Sequence, residues 1–274
     1  MSVGIITRRG GGNVPFEATG GTETLIIQNN KAYKVHTFTT VGSATFEVLS
    51  GSKEVEYLVI AGGGGGRLSR AGGGGGYRAS VVGEPSGGGA SAEPKLEVKK
   101  GSYSVTVGAG GIIAPASFGG IGEQGGNSSF ASIESIGGGA AGTTVDGITG
   151  KGGSGAGSSG VDGGTANQGF GATSSGGGGA GAQGTTRNGA SGVTSAITGT
   201  SVCRAGGGGG GTSSGSSSPP GSCGGGRGGG NSGSPTAGAA NTGGGGGGAS
   251  NNPSAQGSSR PGGSGLVVIR YEIG

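Results

Sequence analysis

The feature that most limits what this chain can fold into is a change of texture that occurs twice. Tyr57-Leu58-Val59-Ile60-Ala61 runs straight into Gly62-Gly63-Gly64-Gly65-Gly66, and near the other end Pro261-Gly262-Gly263-Ser264-Gly265 runs into Leu266-Val267-Val268-Ile269. A short unbroken apolar run reads as a strand buried on both faces. The glycines carry no side chain, so they cannot contribute to an apolar core. The two apolar runs therefore read as neighbouring strands that clamp a glycine domain between them.

Glycine fills 82 of 274 positions and proline 9. Collagen needs glycine at every third position and abundant proline, so the blocks seen here exclude it. Unbroken runs occur at Gly62–Gly66, Gly72–Gly76, Gly176–Gly179, Gly206–Gly211 and Gly243–Gly248, with Ser, Thr, Asn, Ala and Pro as spacers. No strict repeat length relates them. A polyproline-type helix has three residues per turn and leaves every N–H and C=O pointing outward. Several such helices side by side can bond to one another if no side chain intervenes, which is polyglycine II packing.

Energetics require a bundle rather than a single run. Ordering a residue's backbone costs about 1–2 kcal/mol, with glycine at the upper end, and a satisfied hydrogen bond returns about 0.5–1.5 kcal/mol net. The two nearly cancel, so an isolated run stays disordered. Many packed runs with anchored ends add close backbone contacts and become stable. The unbroken runs are expected inside, and mixed stretches such as Gly152–Gly157 outside.

Elsewhere the pattern is β. Thr24–Ile27 leads through the turn pair Asn29-Asn30 into Lys31–Thr40, in which Tyr33, Val35 and Thr37 share one face and Lys34, His36 and Phe38 the other. Thr45–Leu49 and Glu54–Ala61 read as two further strands. Lys95–Lys99, Gly101 and Tyr103–Val107 read as a hairpin, and Asn127–Ile133 as one more short strand. This much glycine rules out long α-helices. The fold class expected is mostly β with an irregular glycine-rich domain: a small antiparallel β-sheet clamping packed polyglycine II helices, with almost no α-helix. The divisions are an arm (1–21), a strand region (22–61), the glycine domain (62–264, including the hairpin at 95–107) and a closing strand (265–274).

The net charge of +4 is a mild excess and does not by itself imply nucleic acid. Arg8-Arg9-Gly10-Gly11 and Arg227 among its glycines imitate RGG segments, which work in many copies. No nucleic-acid partner is expected. No apolar run has membrane length, and Met1–Gly20 has no signal-peptide pattern, so neither membrane insertion nor export is expected. Cys203 and Cys223 fit no metal spacing; they are either a disulfide that staples a loop or two inert thiols.

Chemistry is sparse. Gly-x-Gly-x-x-Gly recurs, but with no strand–glycine–helix unit behind it, and Gly150-Lys151-Gly152 lacks the remainder of a phosphate loop. His36 is the sole histidine, placed mid-strand, and Asp146 and Asp162 each precede glycine as turn residues do. Neither an enzyme nor a cofactor is expected.

Several segments resemble the glycine-rich domain of phage tail fibres and tail-tip adhesins. They are Tyr33–Thr39, Val55–Ala61 with its glycines, Tyr103–Gly111, Asn127–Phe130 and Gly262–Tyr271, together covering about residues 20–274 in the order that family shows. The resemblance implies a virion-surface protein made in the host cytoplasm, with no catalytic residues and with loops at one end facing the host. The expected partners are other virion proteins, a host cell-surface receptor or glycan, and possible homo-oligomeric copies. The polar loops linking long glycine runs supply the receptor-contact candidates Arg227, Asn231, Asn251, Asn252 and Arg260. The arm supplies Ile5, Ile6, Arg8 and Arg9 for virion attachment. The alternatives are a non-catalytic decoration of capsid or tail, and ice binding, which would need a regular Gly-x-x spacing that is missing.

Overall fold

The computed structural model describes residues 14–114, 121–142, 152–157, 164–212, 221–230, 233–250 and 259–273. Its strands, in chain order, are β1 (Glu17–Thr19), β2 (Thr22–Gln28), β3 (Lys31–Phe38), β4 (Gly42–Ile60), β5 (Tyr77–Ala79), β6 (Leu96–Val107), β7 (Ile113–Ala114), β8 (Ile121–Gly122), β9 (Ser128–Phe130), β10 (Ile133–Ser135), β11 (Val193–Ser195), β12 (Val202–Arg204) and β13 (Leu266–Ile273). The one helical element among the described residues is a 3-10 turn at Gly87–Gly89. Nine strands form one antiparallel sheet in the order β10-β9-β6-β4-β13-β3-β2, with β1 and β5 also paired to β4.

The β2–β3 hairpin turns on Asn29 and Asn30, at φ of 51° and 59°. Two residues in the left-handed region make a turn whose twist matches its flanking strands. The clamp also forms as the sequence implies, since β13 pairs with β4 from Leu266 opposite Ile60 to Arg270 opposite Glu56.

Two strand assignments need correcting. Thr45–Leu49 and Glu54–Ala61 are halves of the single strand β4, and 95–107 is not a hairpin. Residues Gly101–Val107 of β6 pair with 42–48 of β4, and Leu96–Lys99 pair with 52–55. The register breaks between Val48 and Ser52, beside Gly51 (φ 73°) and Gly101 (φ 149°). These glycines bend a two-stranded ribbon without reversing either chain. The ribbon folds over, and its halves become two facing layers.

Between the layers lies a core of Phe38, Phe46, Val48, Val55, Tyr57, Val59, Val98, Val105, Val107, Phe130, Val267, Ile269 and Tyr271. Phe46 meets His36 edge-on at 5.0 Å and Tyr57 lies 6.4 Å from Phe130, contacts that tie the layers together. A second cluster forms on the outer face of the sheet, where Val35, Leu58, Ile60, Tyr77, Leu266 and Val268 meet Val193, Ile197 and Ala205. The hairpin of β11 and β12 that covers this face is not foreshadowed in the sequence pattern.

Six of the strands run directly into or out of extended glycine segments at one end of the sheet, and there all five unbroken runs are buried. Their bonding has a period of three. The N–H groups of Gly62 and Gly65 donate to Gly126 and Glu123. Gly63 and Gly66 donate to Gly263 and Arg260, and Gly64 to Gly73, all at 2.9–3.0 Å. The same run accepts from Gly138 and Ala141, from Gly111, and from Gly246. Each third residue returns to the same neighbouring segment, as three residues per turn requires. Gly62–Gly66 thus touches six neighbours and is interior polyglycine II.

The run Gly72–Gly76 repeats the scheme. Gly72 and Gly75 donate to Gly246 and Gly243, Gly73 and Gly76 to Gly139 and Ile136, and Gly74 to Gly178. A side chain has no room at such positions. A methyl group on Gly64 would fall on the Gly139 carbonyl, and one on Gly72 on the Gly64 carbonyl.

Gly152–Gly157, expected outside, is buried throughout. Ser154 is fully buried, yet its amide still bonds to Gly74. Its hydroxyl occupies the space that a side chain at Gly169 would need, so one glycine makes room for its neighbour's side chain. Part of the arm is also in the sheet. β1 pairs with β4 and buries Ala18, and Ser50 Oγ donates to the Pro15 carbonyl at 2.6 Å.

Candidate functional site

Strand lengths and chain reversals give the molecule two ends. At one end the β4–β6 ribbon bends at Gly51 and Gly101, about 30 Å from the glycine segments at roughly 3.3 Å per residue. There the described chain begins, with Val14, Pro15 and Phe16 beside Ser52, Lys53, Lys99 and Lys100 around an open concavity. At the other end, glycine segments leaving the sheet turn back. The link Arg67–Arg70 closes with two reciprocal backbone bonds of 2.8 Å, β7 pairs with β8, and Gly230 bridges Gly233.

The structure brings two receptor-contact candidates together at this second end. The Arg227 N–H donates to Thr236 Oγ1 at 2.8 Å, and its carbonyl accepts from Thr236 N–H. Arg260 Nε donates to the Pro235 carbonyl at 3.1 Å. The two exposed arginines therefore flank one segment, 234–236. Asn231, Asn251 and Asn252 lie outside the described residues, as do Ile5, Ile6, Arg8 and Arg9.

Three more arginines share this end. Arg67 follows Gly66, whose N–H donates to the Arg260 carbonyl. Arg70 Nη1 donates to the Gly142 carbonyl at 2.8 Å. Arg187 accepts through its carbonyl from Gly210 and reaches Thr212 Oγ1 with Nη1 at 3.5 Å, next to Gly211, which bonds to Ser69. Leu68 and Ile112 are exposed beside them. Among the described residues the one carboxylate at this end is Glu123. A sequence signal existed for Arg67 and Arg70, because Arg67-Leu68-Ser69-Arg70 is a short link between two long glycine runs.

Cys203 and Cys223 form a disulfide with Cα atoms 4.9 Å apart. It ties β12 to the segment whose Cys223 carbonyl accepts from Gly206.

The sheet holds its charges differently. A concavity of about 790 Å³ on its side is lined by Lys31, Tyr33, Glu56, Val82, Lys95 and Arg270, among others. Arg270 Nε donates to Glu56 Oε2 at 2.7 Å and Nη1 to Gln28 Oε1 at 2.6 Å, and the guanidinium stands 4.7 Å over the Tyr33 ring. Lys95 lies 3.3 Å from Glu56. Cations and anions cancel within this wall, and it reads as a structural network. Arg78 pairs likewise with Glu93, which also accepts from the Tyr57 hydroxyl at 2.9 Å.

His36 is fully buried. Its Nδ1 is 2.9 Å from the Gly20 carbonyl, which can only accept, so Nδ1 carries the proton and donates. Nε2 then faces the Tyr271 hydroxyl at 3.4 Å. Burial pulls the imidazole pKa below its usual value, and pushes that of Tyr271 up to about 12. The histidine is a core residue held in its neutral form. Among the described residues no cluster of His, Cys, Asp or Glu could hold a metal ion.

A sheet that clamps laterally bonded glycine helices defines a structural class, and the comparisons agree with it. The glycine-rich domain family matches residues 39–272, and the chain belongs to it. Comparison with curated proteins finds no match.

Proposed function

We propose that the chain is a non-catalytic phage virion-surface protein, a tail-fibre or adhesin-type subunit that attaches the particle to a host cell through the polar loops at the arginine-bearing end. The observation that carries this reading is the polarity of the molecule. The arm joins the fold at the bend of the sheet, while the glycine segments turn back at the opposite end, about one bundle length further on. Lateral backbone bonding makes the part between them stiff, so a contact at one end is displayed at a fixed distance from an anchor at the other. The partners are then other virion proteins on the arm side and a cell-surface receptor or glycan on the loop side, with the protein made in the host cytoplasm.

The test is binding of labelled full-length protein to envelopes from a panel of bacterial strains. At least one strain should retain it, and Arg227→Ala with Arg260→Ala should weaken that retention. Binding to none of the panel counts against attachment. A second reading, decoration of the particle surface, is favoured by the concavity at Val14–Phe16, Lys53, Lys99 and Lys100. It expects removal of residues 1–13 to abolish particle incorporation, and substitution of the loop-end arginines to leave infection unchanged.

A further inference from the structure

Charge is segregated along this molecule more sharply than its net value suggests. In the sheet, lysines and arginines alternate with carboxylates and many are paired: Lys31 with Glu272, Lys34 with Glu23, Arg78 with Glu93, and Arg270 with Glu56. Beyond the strand ends, the described cations are all arginine: Arg67, Arg70, Arg187, Arg227 and Arg260. Asp146, Lys151 and Asp162 lie outside the described residues. Arg70, Arg187, Arg227 and Arg260 give donors to neutral carbonyls or a hydroxyl, so those bonds orient the guanidinium groups without neutralising them.

The arginines also adjoin one another. Gly66 bonds to Arg260, Gly210 to Arg187 and Gly211 to Ser69, while Thr212 N–H donates to Gly229, two residues from Arg227. Arg187, Arg227 and Arg260 are exposed, and Arg67 and Arg70 are half-buried. A guanidinium fork matches phosphate, sulfate and carboxylate oxygens in pairs, and a row of them matches a chain that repeats such groups. The described aromatics are not at this end; Tyr33, Tyr57, Tyr77, Tyr103, Tyr271 and the core phenylalanines belong to the sheet, and the Phe170 ring lies by Gly89, close to β5. Protein hot spots and single-stranded nucleic acid both draw on exposed rings, and the described residues offer none here; Phe118 lies outside them.

We infer that the loop-bearing end binds an anionic polysaccharide, one that repeats phosphate, sulfate or carboxylate groups, through Arg70, Arg187, Arg227 and Arg260. This rests on the attachment reading and narrows its receptor to a chemical class. Because the affinity comes from charge, it falls as salt rises.

The experiment measures binding of the full chain to immobilised dextran sulfate, alginate and uncharged dextran across a salt series. Retention on the two polyanions and not on dextran is expected, and the preference between them separates sulfate from carboxylate recognition. Arg227→Gln, Arg260→Gln and Arg187→Gln should each weaken retention about tenfold, the worth of one charge-assisted hydrogen bond. Arg187→Gln gives up only a 3.5 Å contact to Thr212, so its loss of binding is not a loss of fold. Lys53→Gln with Lys99→Gln at the opposite end removes twice the charge of any one of these arginine substitutions and should leave retention unchanged.

Equal loss in that lysine control overturns the inference, as does equal retention on uncharged dextran. Tighter binding to duplex DNA or to phosphatidylglycerol vesicles overturns it in favour of those partners. Envelope binding that weakens with Arg227→Ala and Arg260→Ala yet ignores salt, with no retention on either polyanion, ends the polyanion inference and leaves attachment standing. Polyanion binding at the loop end with no envelope binding ends attachment instead.

Discussion

The two halves of this molecule solve the same problem with opposite materials. The sheet is held by side chains: Phe46, Tyr57, Phe130 and Ile269 are removed from water between two layers, and its backbone bonds follow. In the bundle the backbone is the interior, and the absence of side chains lets amides of neighbouring segments approach within 3.0 Å. The comparison teaches that burial of polar groups is not a penalty when every donor meets an acceptor. It also inverts the usual rule for mutation. In the sheet the damaging change removes atoms, and in the bundle it adds them.

The largest effect should come from that inversion. Gly64→Val places its side chain on the Gly139 carbonyl and parts segments that share several bonds, each costing about 1–3 kcal/mol once broken and buried. A loss of about 5 kcal/mol or more is expected, read by chemical denaturation. The matching deletion in the sheet, Phe46→Ala, should cost about 3–5 kcal/mol. If Gly64→Val were mild while Phe46→Ala was severe, the bundle would not be a solid of its own.

Next comes the disulfide. Cys203 and Cys223 are 20 residues apart, and closing a loop of that size is worth about 3 kcal/mol. Replacing both with serine should lower stability by that amount. Hydrogen exchange should show faster opening of Gly206–Gly211 and Gly224–Gly226 before any opening of β4 or β13. Uniform loosening of both regions would mean they unfold as one unit.

The smallest effect is on pH. His36 is neutral when folded, with its pKa lowered by burial. The unfolded chain therefore takes up a proton first as pH falls below about 6.5. Stability from this residue is complete above that pH and drains away from there down through the lower folded value. His36→Gln should flatten the stability curve across that window. The acid-side fall from Glu23, whose carboxyl is held low by Lys34, should remain at lower pH. A slope unchanged by the substitution would show that the ring already protonates in the fold.

Much of this architecture can be read from the letters, for reasons that particular residues make clear. Asn29-Asn30 names a turn, Val35 and His36 divide the faces of their strand, and the boundary at Ala61-Gly62 marks where one material gives way to the other. Gly101 misleads because glycine permits both a reversal and a bend, and only the partner strand decides between them. Ser154 misleads because its place inside depends on an absent side chain at Gly169, fifteen positions away. Adjacency within the bundle is illegible for a deeper reason: a segment without side chains carries no address. Gly63 meets Gly263 and Gly72 meets Gly246 because of strand order at the base and link length at the far end. Arg187 joins Arg67 and Arg227 by the same route, so the arginine end was only partly visible beforehand.

The reciprocal closure of Arg67–Arg70 has a consequence of its own. The bonds that reverse the chain there lie within four residues, and the link meets the rest of the molecule through the Leu68 and Ser69 carbonyls, which accept from Ser259 Oγ and the Gly211 N–H, and through its side chains. Side chains on such a link can be exchanged while the backbone bonds beneath keep their spacing. Novelty in what the molecule grips would then be free to arise at its cap, with the shaft left as it was.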